Sequence, residues 1–272
     1  MKYIDAGPSR AGWSRLSKML KCPRFYALDK TAERSASPAL VRGSLMHIAL
    51  AHHYAALKSV QHDEQVEYLT PEDAVKRYAA EAECELHDKW ADKVIETYHQ
   101  YAMMYPVPSW RIQGVEQVVE TKVRDDVRDT SYDYTARIDL IVAHHGKHYF
   151  VDHKTSFAIL PKTYNKYTLS GQFLGQQVIG QQMFGSDFGG VILNLIGWDD
   201  RKPVSSFKRK VLPYAERSVA HFPDTVKHAE RMISEFEGRD PFHYPGAHHD
   251  NACQTTYGPC SFFETCRLGR TQ

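Results

Sequence analysis

The sequence predicts an α/β fold, and three observations carry that reading. A long run near 71–103 places apolar residues at helical i, i+3, i+4 spacing, and two β-branched and aromatic runs meet at His145-Gly146. Predicted elements then follow one another as helix, three strands, helix, strand, which supports an α/β sandwich. Taken in order, helices open the chain at about 12–30, 43–60 and 71–103. Strands follow near 115–123, 131–143 and 148–155, the last two joined by the glycine-bearing turn. Ser170 stands where it can cap a helix running to about Phe184. Strands near 190–198 and 204–212, a helix near 214–237 and a cysteine-bearing tail complete the chain, with no internal repeat or low-complexity segment.

The hairpin carries the chemistry. With the turn centred on His145-Gly146, facing residues have numbers that sum to 291, so Asp139 lies opposite Asp152. Facing residues share a sheet face with Cβ atoms about 4.5–5.5 Å apart, and like charges placed there repel. Apolar neighbours Ile138, Leu140, Phe150 and Val151 make the setting partly buried, where an unpaired carboxylate is costly. A divalent cation such as Mg²⁺ offsets that cost, and Lys154, two residues after Asp152, points its ammonium to the same face. Such a set suits phosphodiester hydrolysis. An Asp-x-Lys on a strand is also a common surface ion pair.

The run Ala136-Arg137-Ile138-Asp139 followed by Val151-Asp152-His153-Lys154-Thr155-Ser156 resembles the core motif of the PD-(D/E)XK nuclease superfamily, in its RecB-like branch, with Ala136 where glycine is usual. The resemblance implies a restriction-endonuclease-like core, a central mixed sheet flanked by helices, with an N-terminal helical insertion and a cysteine-bearing C-terminal tail. It implies one nuclease domain over 1–272: a mainly helical region over 1–110 with Cys22 and His47, an αβββαβ-type catalytic core over 111–212, and a helix and Cys-rich tail over 213–272. Asp139 and Asp152 match metal-binding positions, Lys154 matches the catalytic lysine, and the Val151 carbonyl adds a further oxygen. The reaction implied is Mg²⁺- or Mn²⁺-dependent cleavage of DNA.

Further residues extend the resemblance. Arg42-Gly43-Ser44-Leu45-Met46-His47 opens a helical stretch, and the branch carries a histidine metal ligand after such a glycine, which makes His47 the candidate. The alternative is a core histidine on the stripe of Leu50, Ala51 and Tyr54; His52 and His53 read as surface groups. Gln172 matches a glutamine that contacts DNA or the active-site network, and Gln176, one turn on, replaces a tyrosine. Both amides can face a groove and donate to phosphate, or form a solvated face with Gln181 and Gln182. Glu116 resembles an acidic residue on the preceding strand; Glu120 shares its face by spacing, and an exposed carboxylate is the plainer reading of either. Residues 55–110 read as a helical insertion narrowing access to the site.

Four of the five cysteines, Cys22, Cys253, Cys260 and Cys266, lie towards the two ends of the chain. Leu20-Lys21-Cys22-Pro23-Arg24-Phe25-Tyr26 and the downstream cysteines resemble elements that hold a [4Fe–4S] cluster in phage-type and CRISPR-associated RecB-like nucleases and AddB-type helicase-nucleases. The Cys253–Cys260 gap is longer than in many relatives. Thiolates suit such a cluster, zinc is the competitor, and disulfides are the weaker reading. Cys84 reads as an ordinary helix residue.

Composition adds less. The chain of 272 residues can bury a good core, and its formal charge of +1 gives no global positive field, so charge for DNA must gather locally. Arg201-Lys202 and Lys208-Arg209-Lys210 are the reservoir, or else a solvated strand edge. No apolar run is long enough to span a membrane and Met1-Lys2-Tyr3-Ile4-Asp5 is no signal peptide, which fits a cytoplasmic enzyme of a bacterium or a phage-infected host. The activity expected is an exonuclease on single-stranded DNA or duplex ends in recombination, repair or phage DNA metabolism, with a helicase or recombination protein as partner. The competing readings are a catalytically silent DNA-binding scaffold and a zinc-stabilised binding module.

Overall fold

The computed structural model describes residues 1–4, 9–32, 37–82, 85–106, 109–198, 204–247, 250–255 and 258–269. Helices α1 (Trp13–Lys21), α2 (Pro23–Asp29), α3 (Pro38–Gln61), α4 (Pro71–Glu81) and α5 (Glu85–Met104) come first. Strands β1 (Arg111–Asp125), β2 (Thr130–His144) and β3 (Lys147–Ser156) follow, then α6 (Pro161–Thr168), α7 (Gly171–Phe184), β4 (Phe188–Gly197) and β5 (Ser206–Val211). The chain continues through α8 (Glu216–Ala220), α9 (Phe222–Phe236), α10 (Asp250–Cys253), β6 (Gln254–Thr255), β7 (Gly258–Pro259) and α11 (Phe263–Leu268). Among the described residues no helix is long and apolar enough to cross a membrane.

The α/β arrangement is the one the sequence predicts: a five-stranded sheet in the order β1-β2-β3-β4-β5 with flanking helices. β3 runs antiparallel to β2 and parallel to β4, and β5 is antiparallel to β4, so the sheet is mixed. The chain divides into two compact units. One comprises Met1–Ser9, Ser35–Val119 and Ala136–Val219; the other Arg10–Arg34, Glu120–Thr135 and Ala220–Gln272.

In the first unit, α3 and α5 bury Leu45, Met46, Leu50, Tyr54, Val94 and Tyr101 in one cluster with Leu140, Val142, Val151 and Ile196 of the sheet. Ser37 caps α3 by accepting from the Leu40 amide, and Pro38 follows in the first turn, where its missing N–H costs nothing. The β2–β3 ladder pairs His144 with Lys147 and continues to Leu140 with Val151, the register of sum 291. His145 (φ +48°) and Gly146 (φ +76°) form the loop, both in the left-handed region that a tight two-residue turn requires.

Prolines break two helices that periodicity alone joins. The predicted helix 12–30 splits at Cys22, which is extended (φ −164°, ψ 111°), because Pro23 excludes the helical conformation from the residue before it. The predicted helix 214–237 splits likewise, α9 starting with Pro223 in its first turn. Arg15 pairs with Glu230 and Arg231 with the buried Asp125, tying α1 and β1 to α9 within the second unit. In the first unit the predicted helix 71–103 ends at Glu81 and resumes at Glu85; Cys84 lies outside the described residues, as do Arg201 and Lys202.

Candidate active site

Five elements of the first unit meet at one place. α3 supplies His47, β1 Glu116, β2 Arg137 and Asp139, β3 Asp152, His153 and Lys154, and α7 Gln172 and Gln176. Asp139 and Asp152 are both buried. Asp139 Oδ2 accepts from the His153 amide at 2.6 Å and lies 3.5 Å from His47 Nδ1. Lys154 Nζ reaches Asp152 Oδ1 at 2.5 Å and sits 5.6 Å from the Phe173 ring. Asp152 Oδ2 accepts from Gln172 Nε2 at 2.7 Å and from Gln176 Nε2 at 3.0 Å. Both glutamines thus face the carboxylate through the shared face of α7, while Gln181 and Gln182 are the solvated ones.

Glu116 is not the exposed strand carboxylate that spacing suggested. Its side chain is 3% exposed, its Oε2 lies 2.9 Å from Arg137 Nε, and one ligand atom each of His47, Glu116 and Asp139 fall within 4.8 Å of one another. The cause is a backbone irregularity. Glu116 has φ +49°, and the buried positions of β1 switch phase across it, from Ile112 and Gly114 to Val119 and Val123. A residue in the left-handed region breaks the extended alternation and turns the strand's side chains to the other phase. Glu116 therefore faces inward while Glu120 is exposed. Arg137 carried a readable signal: two residues before Asp139, it shares that strand's face.

The other histidines also depart from expectation. His52 is buried, its Nε2 accepting from the Ile4 amide and its Nδ1 donating to the Leu69 carbonyl, so it is no surface group. His53 is partly buried at 3.1 Å from the Tyr98 hydroxyl, and burial with nearby Arg209 pulls it down to about 4. The basic trio divides too. Lys208 and Lys210 are exposed, whereas Arg209 donates to the hydroxyls of Tyr54 and Tyr101 and lies 3.5 Å from the Tyr105 ring centroid.

Burial sets the electrostatics. It pushes Glu116 up to about 8, Asp139 adding to the rise while His47 and Arg137 oppose it. It raises Asp152 as well, against Lys154. For Asp139 burial is outweighed by His47 and the carboxyl is held below its usual range; reciprocally, Asp139 raises His47. Lys154 is raised by Asp152 and Asp139 despite burial. His47 Nδ1, Glu116 Oε2 and Asp152 Oδ1 are buried and meet charged neighbours, but none makes a well-formed hydrogen bond among the described residues. Carboxylate oxygens and an imidazole gathered in this way, with unsatisfied lone pairs, fit a hard divalent cation. A cavity of about 410 Å³ opens beside them, lined by Gly43, Ser44, His47, Tyr78, Arg137, Lys154 and Thr155.

In the second unit Cys22, Cys253, Cys260 and Cys266 are free thiols around one cavity of about 260 Å³, with Phe25, Ala252 and Phe262. The Cys22 sulfur accepts from the Ala247 amide at 3.4 Å. The long Cys253–Cys260 gap is folded back on itself: β6 pairs with β7, and the Cys260 amide donates to the Cys253 carbonyl at 2.8 Å. Burial raises the Cys266 thiol, against Arg24.

A family model described as the PD-(D/E)XK nuclease superfamily matches residues 11–267. Comparison with curated proteins finds no match. A solved structure titled "Crystal structure of SSO0001" aligns over 79% of this chain and 82% of that chain at 11% identity and a TM-score of 0.32, a likeness too slight to argue from.

Proposed function

Since the chain belongs to the PD-(D/E)XK nuclease superfamily, we propose that it is a metal-dependent exonuclease of the RecB-like branch, acting on single-stranded DNA or DNA ends. The observation that carries this reading is the gathering of His47, Glu116 and Asp139 with the Asp152–Lys154 pair, beside a cavity that His47 and Lys154 line. His47, Glu116 and Asp139 hold Mg²⁺ or Mn²⁺, with Asp152 and the Val151 carbonyl alongside. A divalent cation supplies charge neutralisation at the phosphate and a more acidic water.

The chain's own groups do the rest. Lys154 offers up to three N–H donors; one engages Asp152, and another can orient the attacking water or meet negative charge developing on the phosphate. Gln172 and Gln176 fix the Asp152 carboxylate through one oxygen, leaving the other to the lysine. Arg137 balances Glu116, so that a third buried acid is tolerated at the site.

The four cysteines hold a [4Fe–4S] cluster in preference to zinc. Among the described residues no three sulfurs lie within 4.8 Å of one another. A zinc tetrahedron with bonds of about 2.3 Å needs sulfurs about 3.8 Å apart, and it fills no cavity. Thiolates round a void suit a cubane.

Catalysis is tested with 5′- and 3′-labelled single- and double-stranded DNA in Mg²⁺ or Mn²⁺. Lys154→Ala should cut cleavage by about 10²–10³-fold while DNA binding persists. Intact DNA with both wild type and variant, binding retained, replaces the enzyme with a scaffold.

A further inference from the structure

The register that aligns the acid and the lysine on β3 continues across two more strands. Asp152 pairs with Leu193 and Leu193 with Lys210; Lys154 pairs with Leu195 and Leu195 with Lys208. Directly paired residues share a sheet face, so Lys208 and Lys210 stand on the face of Asp152 and Lys154, roughly 10 Å away by two strand spacings. β5 is last in the strand order. The two ammonium groups lie 5.6 and 5.3 Å from the ring centroid of Tyr164, on α6. The same helix exposes Lys162 and Lys166, the latter 4.7 Å from the Tyr167 ring, and Tyr167 is close enough to Lys154 to interact with it. None of these four lysines has a carboxylate partner among the described residues. Leu160 and Leu169, at the two ends of α6, are 46% and 74% exposed.

We propose that the α6–β5 face is a track for single-stranded nucleic acid leading to Lys154, the lysines taking backbone phosphates and the exposed leucines lying against unpaired bases. The track rests on the nuclease reading of the adjoining site. Four cations with no carboxylate partner among the described residues complement a polyanion, and the apolar side chains that flank the lysines of α6 have no use for a duplex, whose base faces are already stacked. A chain with a formal charge of only +1 has little long-range field, which makes a local row of this kind the place where phosphate contacts concentrate.

The test is binding of a fluorescein-labelled oligothymidylate in EDTA over a salt series, comparing wild type with Lys208→Gln/Lys210→Gln, both checked by circular dichroism. Loss of two phosphate contacts should weaken binding by about tenfold and flatten the log–log salt slope by about 1.4, at 0.7 per contact on a single strand. An unchanged slope overturns the track, and an equal loss of affinity for a blunt duplex overturns its assignment to single strands. Cleavage by wild type is followed in parallel. Cleavage with an unchanged slope removes the track alone, whereas a flattened slope without cleavage removes the nuclease reading alone.

Discussion

Glu116 shows what a single residue's backbone does to a site. With φ +49° it faces His47 and Asp139, and Glu120, four positions on, is exposed. Replacing Glu116 by Gln should weaken Mn²⁺ binding, measured by calorimetry, by about tenfold or more, while Glu120→Gln leaves it unchanged. A proton shared with a cation site has a further reading. Burial and Asp139 raise the Glu116 carboxyl, so cation uptake at the site should release protons. The hairpin register, observed from His144 with Lys147 to Leu140 with Val151, was legible because a glycine fixes the turn and period-two alternation does the rest. The Glu116 irregularity was not, since a left-handed non-glycine residue leaves no compositional mark. His52 was illegible for a related reason: its partners, the Ile4 amide and the Leu69 carbonyl, are backbone groups far along the chain.

At the scale of the element, alternate residues of one strand serve two faces of the sheet. Asp152 and Lys154 face α7. His153 between them pairs with Asn194, which pairs with Arg209, and those three lie on the other face. There Asn194 donates to the Tyr101 hydroxyl at 2.9 Å and Tyr54 stacks on His153, while burial drives His153 down to about 3. Arg209→Met should therefore cost about 2–4 kcal/mol in urea unfolding, by removing the charged donor shared by the Tyr54 and Tyr101 hydroxyls, whereas Lys208→Ala in the same strand should change stability by less than about 0.5 kcal/mol. Sequence alone treats Lys208-Arg209-Lys210 as one basic run. Alternation could have split it, but only the aromatic residues of α3 and α5 reveal where the middle cation goes. Helix breaks at Pro23 and Pro223 were equally open to a reader who weighted proline over apolar spacing.

For the whole molecule, the α/β class was legible because strands and helices of contrasting period interleave, and the mixed sheet follows from two short links joining β1, β2 and β3, one crossover and one returning strand. The grouping of Cys22 with three distant cysteines was legible only through resemblance; nothing in spacing brings residues so far apart together. Anaerobic purification should yield about four iron atoms per chain and a broad visible band, both lost in Cys260→Ala. Zinc without iron would replace the cluster with a mononuclear site. The unit that holds these cysteines is assembled from the segments Arg10–Arg34, Glu120–Thr135 and Ala220–Gln272. That arrangement makes it a late product of translation. At roughly 5–20 residues per second, Cys266 leaves the ribosome roughly 12–50 s after Cys22. During that interval α1 and α2 lack α9 and the last three thiols, so the early segment waits until its own partners have been made.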